Sequence, residues 1–374
     1  MSIVSTPPTF SFHHTQVAPE AIERVVAVLK SGWLNEGAVT KEFEDQLALQ
    51  LGLVHPVAVN SGTSALHLAL LVAGVTEGDE VIIPAQTFVA TGTVVLMCGA
   101  RPVFCDIDPK TGNMDPVALK ARISDRTRAM IPVHWGGSPC NLGALGEIAE
   151  SAGLTVIEDA AHALGATYRG RPIGSISPLT AFSFQSIKHL TTGDGGVLCC
   201  LDTSVEQRAR ALRWFGIDRA ASRPSFLGAR DYDLGVLGFK YHMNNIAAAL
   251  GLGNLGPLPQ QLARRRARAE RYRSALESVA GFHPLRVEDG AEHAYWFFTA
   301  TVDRRDDFVR AMTARSVPAS VVDLGIDRNS LFAPYRSELP GQRLFDETQV
   351  SLPVHDGLRD EDVETVIDAI RTGW

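Results

Sequence analysis

The amino-acid sequence predicts an α/β protein, with a mixed, mostly parallel sheet flanked by helices and a smaller C-terminal α/β domain. Three observations predict this. Short runs rich in Val and Ile alternate with stretches of helical periodicity over the first 250 residues. Two strand-like runs, at 179–184 and 195–201, have no helix between them. Beyond residue 257 a long arginine-rich helix starts a different order of elements. The 374 residues are enough for two domains or one large α/β unit, and the change of pattern puts an expected boundary near GPLPQQ (256–261), giving residues 1–256 and 257–374.

The elements follow in order. Helical spacing covers 19–30 and 41–51, the second with Thr40 as a plausible N-cap. PVAVN (56–60) reads as a strand and 64–74 as a helix. Then come strand 80–84, helix 88–98, strand 102–107, helix 115–123, strand 128–135, helix 141–152 and strand 154–159. Strands separated by helices of this length imply parallel units with right-handed crossovers. The pair at 179–184 and 195–201 implies an antiparallel element in the same sheet. The C-terminal part reads as a strand at 295–302, a helix at 305–316, strand-like PASVVDL (318–324) and QVSLPV (349–354), and a last helix at 360–371.

Composition narrows the function. Apolar residues at 45% and charged residues at 21% describe an ordinary globular chain. A net charge of −7 argues against a nucleic-acid binder, and the basic stretch ARRRARAERYR (263–273) reads as a solvated helix face. No apolar run approaches the roughly 20 residues of a membrane span. The start MSIVSTPPTFSFHH lacks a basic segment followed by an apolar one, so no secretory leader is expected. Five cysteines without C-x-x-C spacing read as reduced, mostly buried thiols of a cytoplasmic protein, with Cys199 and Cys200 on opposite strand faces.

In open α/β sheets ligands bind beyond the carboxyl ends of the strands. There the sequence places Asn60-Ser61-Gly62-Thr63-Ser64, a small-residue turn opening a helix; it suits a phosphate, and it suits an ordinary helix cap. Phe88 could pack in a core or lie against a heteroaromatic ring. In EDAAH, Glu158 and Asp159 could cap the next element, or one could hold a pyridine nitrogen protonated by a charge-assisted hydrogen bond. In FSFQSIKHLTTGDGG (182–196), Ser183 and Lys188 flank a turn beside Gly193, Gly195 and Gly196. A desolvated lysine loses basicity and becomes a nucleophile. Together these are the protein-side requirements of pyridoxal 5′-phosphate (PLP).

Seven segments, in one order, resemble the DegT/DnrJ/EryC1/StrS family of PLP-dependent nucleotide-sugar aminotransferases, of aspartate-aminotransferase-like fold. They are SGWLNEGAVTKEFE (31–44), NSGTSALHLAL (60–70), PAQTFVAT (84–91), VHWGGSP (133–139), IEDAAHALGA (157–166), AFSFQSIKHLTTGDGG (181–196) and GFKYHMNNIAAALG (238–251). The resemblance implies that Lys188 forms the Schiff base with the cofactor and that Asp159 faces its pyridine nitrogen. It implies Phe88 stacked on the ring, with Gly62, Thr63 and Ser183 at the phosphate. His162 stands where the family most often has glutamine near the phenolic oxygen. Lys240 stands where many members have an asparagine reaching the phosphate from the neighbouring subunit, so a homodimer with shared sites is implied. Some members are dehydratases with histidine in place of the lysine; here Lys188 is present and His189 is its neighbour on the turn.

The resemblance implies amino transfer from glutamate to a keto-deoxysugar on a nucleoside diphosphate, a 4-keto-6-deoxyhexose being the first choice. Trp33, Asn35, Glu36, His134, Tyr241, His293 and Asp327 are candidate substrate contacts, and each also reads as a cap, turn or packing residue. Sugar dehydration, amination of a cyclitol ketone and a non-catalytic PLP-binding regulator are the alternatives. A dinucleotide site at GLGNLG (251–256) is rejected, because a helix precedes it where the fingerprint needs a strand.

Overall fold

The computed structural model describes residues 10–218, 223–224 and 226–374. The first nine residues, which carry most of the stretch scanned for a leader, lie outside the described residues. Seven strands form the main sheet: β1 (Pro56–Val59), β2 (Glu80–Pro84), β3 (Arg101–Cys105), β4 (Thr127–Met130), β5 (Thr155–Asp159), β6 (Leu179–Ser183) and β7 (Gly196–Cys200). Their order across the sheet is β1-β7-β6-β5-β4-β2-β3. β2, β3, β4, β5 and β6 pair in parallel, whereas β7 runs antiparallel between β1 and β6. The mixed, mostly parallel sheet expected from the sequence is therefore present, with its antiparallel member where the intervening helix is missing.

The sheet is buried on both faces, which is why its strands are apolar runs rather than alternating ones. Within β7, Val197 and Cys199 join the core beneath one face, with Phe43, Phe182 and Phe184. Leu198 and Cys200 join the core on the other, with Leu66, Ile83 and Val95. The adjacent cysteines thus face opposite ways, as expected. Helix α1 (Pro19–Ser31) and helix α2 (Ala38–Leu51) lead into the sheet, and helix α3 (Gly62–Val72) follows β1. α3 is apolar nearly all round and buried over most of its length, as a central helix must be.

Several boundaries differ from the sequence reading, each for a local reason. Thr40 is not the cap of α2; Gly37 is, and Thr40 sits inside the helix, donating from N and Oγ1 to Asn245 Oδ1 at 3.1 Å each. The strand expected at 128–135 stops at Met130, ahead of Pro132, which has no N–H to continue the ladder. The helix expected at 115–123 is one short turn, Pro116–Lys120. The GLGNLG segment is helical through Leu255, in a helix starting at Asn245. Its glycines leave room for neighbours: a Cβ on Gly253 would collide with the Ala21 backbone, and one on Gly251 with Phe43. The motif is a packing notch for α1 and α2.

The C-terminal part begins with the long helix Leu258–Leu276. Its arginines do more than face solvent: Arg264 pairs with Asp356, Arg266 with Glu292 and Arg271 with Glu364, and Arg265 is buried. A second sheet of three antiparallel strands, β8 (Phe282–Pro284), β9 (Phe298–Val302) and β10 (Gln349–Leu352), packs with the helices Arg305–Ala314 and Asp360–Arg371. Their core holds Tyr272, Phe282, Phe298, Phe308 and Ile370, and Phe10 from the N-terminal segment packs on it. Residues 318–324 form no strand; only Ser320 bridges to Ser351. Asp323 has φ 47°, and its carbonyl accepts from the side-chain amides of Gln86 (3.0 Å) and Gln349 (2.8 Å). Side chains take the bonds a strand would have used. Among the described residues no helix is long and apolar enough to cross a membrane.

Candidate active site

The strand register assembles the site. Val59, Ser183 and Gly196 lie side by side across β1, β7 and β6, and Ala181 is level with Asp159 on β5. The turn after β1, the end of β6 and the end of β5 therefore open into one cavity of about 420 Å³. Gly62, Thr63, Phe88, Asp159, His162, Ser183 and Lys188 all line it.

At one wall the turn after β1 becomes the N-terminus of α3. Ser61 caps the helix by accepting from the Ser64 N–H. Gly62 and Thr63 are its first residues, so their N–H groups have no intrahelical acceptor and carry the positive end of the helix dipole. Ser183 stands against Gly62: a Cβ on Gly62 would come to 2.9 Å of Ser183 Cβ. The missing side chain leaves a cradle of N–H and hydroxyl donors, which suits a phosphate.

The two consecutive acids of β5 point to opposite sides of the sheet. Glu158 is fully buried and accepts from His134 Nε2 at 2.7 Å, Ser177 N at 3.1 Å and Thr180 Oγ1 at 3.3 Å. His134 Nδ1 accepts from the Cys140 N–H at 3.0 Å, which leaves Nε2 as the donor to Glu158. Asp159 faces the cavity. Thr91 Oγ1 donates to its Oδ2 at 2.7 Å and the Ala161 N–H to its Oδ1 at 3.2 Å. Burial pushes the Asp159 carboxyl above the ordinary carboxylate range, against the pull of Thr91, the Ala161 N–H and Lys188.

Lys188 is enclosed as well. Burial lowers its amine to about 7, opposed by the charges of Asp159 and Asp323. Its Nζ lies 3.6 Å from the centre of the Trp296 ring. His162 stacks on that indole at 3.8 Å, with an angle of 20° between the rings. Burial, and then the charge of Lys188, hold His162 well below the usual histidine range, so it is neutral. Its Nδ1 is buried without a partner among the described residues. A half-neutral amine beside an aromatic wall, an orphaned ring nitrogen and a donor cradle across the cavity fit an aldehyde-bearing, phosphorylated heteroaromatic group.

The other expected contacts lie elsewhere in this chain. Trp33 is 80% exposed. Asn35 accepts from His242 Nε2 at 2.8 Å, Glu36 pairs with Arg213, and the Tyr241 hydroxyl meets His67 Nδ1 at 3.1 Å. None of these four lines the cavity. Lys240 is exposed on the outer side of the phosphate turn, where its carbonyl accepts from Asn60 Nδ2 at 3.2 Å. Three more of the expected contacts also lie outside the cavity. His134 spends both ring nitrogens on Glu158 and Cys140. His293 is stacked on Tyr295 at 3.8 Å, and its Nδ1 accepts from the Tyr295 N–H. Asp327 is buried in an ion pair with Arg343. All three hold the scaffold rather than face the cavity.

Sequence reasoning missed His13, Thr91, Trp296 and Asp323. Thr91 was within reach: it lies one helical turn beyond Thr87, to which it is hydrogen-bonded at 2.6 Å, at the end of the strand that supplies Phe88. The other three carry no local signal. His13 comes from the N-terminal segment and Trp296 and Asp323 from the C-terminal part, and packing alone brings them to Lys188.

The family model described as the DegT/DnrJ/EryC1/StrS aminotransferase family matches residues 15–371. The chain is 38% identical to the spore coat polysaccharide biosynthesis protein SpsC of Bacillus subtilis, over 95% of this chain and 94% of that one. It is 35% identical to the GDP-perosamine synthase of Caulobacter vibrioides, over 92% and 93%. Among solved structures, the sugar aminotransferase CalS13 of Micromonospora echinospora superposes with a TM-score of 0.93 at 35% identity, covering 97% of this chain and all of that one. Spr1654 of Streptococcus pneumoniae, solved in PLP and PMP forms, matches at 30% identity over 97% of this chain and 98% of that one, with TM-scores of 0.89 and 0.90. Sequence, sheet order and cavity agree, and the chain is a member of the DegT/DnrJ/EryC1/StrS aminotransferase family, a sugar aminotransferase.

Proposed function

We propose that this protein binds pyridoxal 5′-phosphate in the cavity at Lys188 and uses it to move an amino group from glutamate to a nucleotide-linked keto-deoxysugar. The observation that carries the reading is the meeting of a buried lysine amine near neutrality with a buried, hydrogen-bonded carboxylate on the walls of one cavity. Bound there, the cofactor would supply an aldehyde carbon to carry the amino group and a ring that accepts electrons from the donor's α-carbon.

The chain's own residues have separable tasks. Lys188 Nζ would hold the aldehyde covalently and, when free, would serve as base at the donor's α-carbon and as acid at the cofactor's former aldehyde carbon, which an amine near pKa 7 can do in both directions. Asp159 keeps the ring nitrogen protonated, and Thr91 and the Ala161 N–H fix the carboxylate for that bond. The cradle of Gly62, Thr63 and Ser183 would hold the phosphate, Phe88 would pack on the ring, and His162 has an unpartnered Nδ1 to offer the group. The relatives that act on a GDP-linked sugar and in polysaccharide biosynthesis support a nucleotide-sugar acceptor, with a 4-keto-6-deoxyhexose as first choice.

The working unit is a homodimer in which each subunit completes the other's site. Among the described residues no arginine lines the cavity, and Lys188 is its one lysine. The exposed Ile22, Val26, Leu29 and Trp33 fall on one face of α1 and just beyond it, an apolar stripe suited to a second copy. On that reading Lys240 reaches the neighbour's phosphate, and Trp33, Asn35, Glu36 and Tyr241 serve the neighbour's substrate.

The test uses the purified protein. A yellow protein bleached by borohydride, with the label on Lys188, converted by glutamate to its amine form and returned to the aldehyde form by a nucleotide keto-sugar, is the expected result. Label on another residue, or no spectral response to glutamate, rejects the reading; the second outcome favours a non-catalytic binder. Return of the aldehyde form by a cyclitol ketone alone would move the substrate class.

A further inference from the structure

Trp296 reaches the cavity through an unusual piece of backbone. Tyr295, the residue before it, has φ 50°, a left-handed conformation that costs a tyrosine free energy and persists only where the surroundings impose it. The imposing contacts are specific. The Tyr295 N–H donates to His293 Nδ1 at 2.7 Å. On either side, the Ala294 and Trp296 N–H groups donate to the carbonyls of Gly137 (3.0 Å) and Gly136 (2.8 Å). His189, next to Lys188, donates from Nε2 to the Ala294 carbonyl at 3.0 Å.

That pairing explains the glycine pair of VHWGGSP, which the cofactor site leaves unused. Gly137 has φ 100°, and a Cβ on it would stand 2.6 Å from the His162 carbonyl and 3.0 Å from the Tyr295 nitrogen. Only glycine lets the 294–296 segment lie this close. The indole then points at Lys188, with its Nε1–H donating to the Ile187 carbonyl at 2.8 Å. His162 covers it at 3.8 Å, and the Lys188 Nζ lies 3.6 Å from its ring centre. The ring is tethered to the residue before the lysine and so moves with it.

We propose that Trp296 is a positioning residue for Lys188: its clamped indole face holds the lysine amine inside the cavity whenever that amine is not covalently engaged. This rests on Lys188 being the covalent lysine. A freed lysine on a four-carbon stem has many rotamers, and only some place Nζ at the reacting carbons. The indole face lies against the amine and attracts the protonated form by cation–π interaction. The amine therefore has a defined station both before and after it takes a proton.

The sign of the effect follows. Removing the π face takes away a stabiliser of the charged amine, so the pKa of Lys188 falls further, and the neutral amine loses its station. The experiment compares Trp296→Leu, Trp296→Met and Trp296→Phe in the full-length protein. In the cofactor-free protein, trace acetylation across pH with mass-spectrometric readout of the Lys188 peptide gives the amine's midpoint. In the loaded protein, the single-turnover reaction with glutamate gives rate and saturation separately. Borohydride labelling of every variant reports separately whether Lys188 still carries the cofactor.

For Leu and Met we expect the midpoint to fall by about one unit, and the saturated rate about tenfold with little change in half-saturation. Phe, which keeps a ring face, stays close to wild type in both. Either aliphatic variant suffices if the other does not fold. An aliphatic variant with unchanged midpoint and rate, and borohydride label still on Lys188, overturns the proposal and leaves the cofactor reading standing. Label absent from Lys188 in the wild type overturns the cofactor reading itself.

Discussion

Replacing Thr91 by valine tests how the acid of the site is held. The two side chains have nearly the same shape, so the change removes a hydroxyl without opening a large void. Thr91 is fully buried, and its Oγ1 donates to Asp159 Oδ2 at 2.7 Å, one of two protein donors to that carboxylate among the described residues; the other is the Ala161 N–H at 3.2 Å. Burial already pushes Asp159 upward, and Thr91 is the strongest group holding it down. A hydrogen bond to a charged group contributes about 1.5–3 kcal/mol, and about 1.4 kcal/mol is one pKa unit, so the valine raises Asp159 by about one to two units. A carboxyl that binds its own proton more tightly donates a weaker counter-charge to a ring nitrogen. We expect kcat/KM to fall about ten- to hundredfold at neutral pH and to recover partly as pH rises through the new Asp159 range. Thr91→Ser, which restores the hydroxyl, recovers most of the loss. The assay is the pH profile of kcat/KM with the absorbance of the bound cofactor recorded alongside. A valine variant within about twofold of wild type across the profile would refute the assignment of Asp159 as the group tuned by this bond.

Two further outcomes follow from the same structure. The amine of Lys188 is depressed from 10.5 to about 7 in the folded, cofactor-free chain, so between those values the unfolded state binds more protons. Stability must therefore rise with pH across that window, by at most about 1.4 kcal/mol per pH unit, and Lys188→Met must lose this rise, as urea denaturation at neutral and alkaline pH will report. Gly253→Ala places a methyl group in the Ala21 backbone and is expected to destabilise the protein by about 1–3 kcal/mol in thermal or urea unfolding, while cofactor binding and turnover per folded molecule stay unchanged. Loss of cofactor affinity with intact stability would instead restore GLGNLG as a ligand loop.

The chemistry of the site was legible because its core residues sit at strand ends, where local pattern and topology coincide. Val59, Asp159 and Ser183 end three strands of one sheet, and those strands were readable as apolar runs. The antiparallel β7 was legible from what it lacked, a helix before it. What the sequence hid is of another kind. Trp296 and Asp323 reach Lys188 through backbone with positive φ, and positions 295 and 323 are a tyrosine and an aspartate, where the letters gave no warning. A histidine in a glycine-rich segment, as His134 is, reads equally well as ligand or strut. Only the directions of its two ring nitrogens, one toward Glu158 and one from Cys140, decide between them.

Glu158 and Asp159 follow one another in the chain yet serve unrelated masters, because a pleated strand sends neighbours to opposite sides. One anchors an internal histidine; the other lines the cavity that Lys188 also lines. A single-residue deletion or insertion within β5 would exchange them, stranding a charge in the protein interior and placing a longer acid in the cavity. This strand can therefore drift in residue type but not in length, and among descendants of this gene the spacing from Asp159 back to the start of β5 should be the most rigid measure in the sheet.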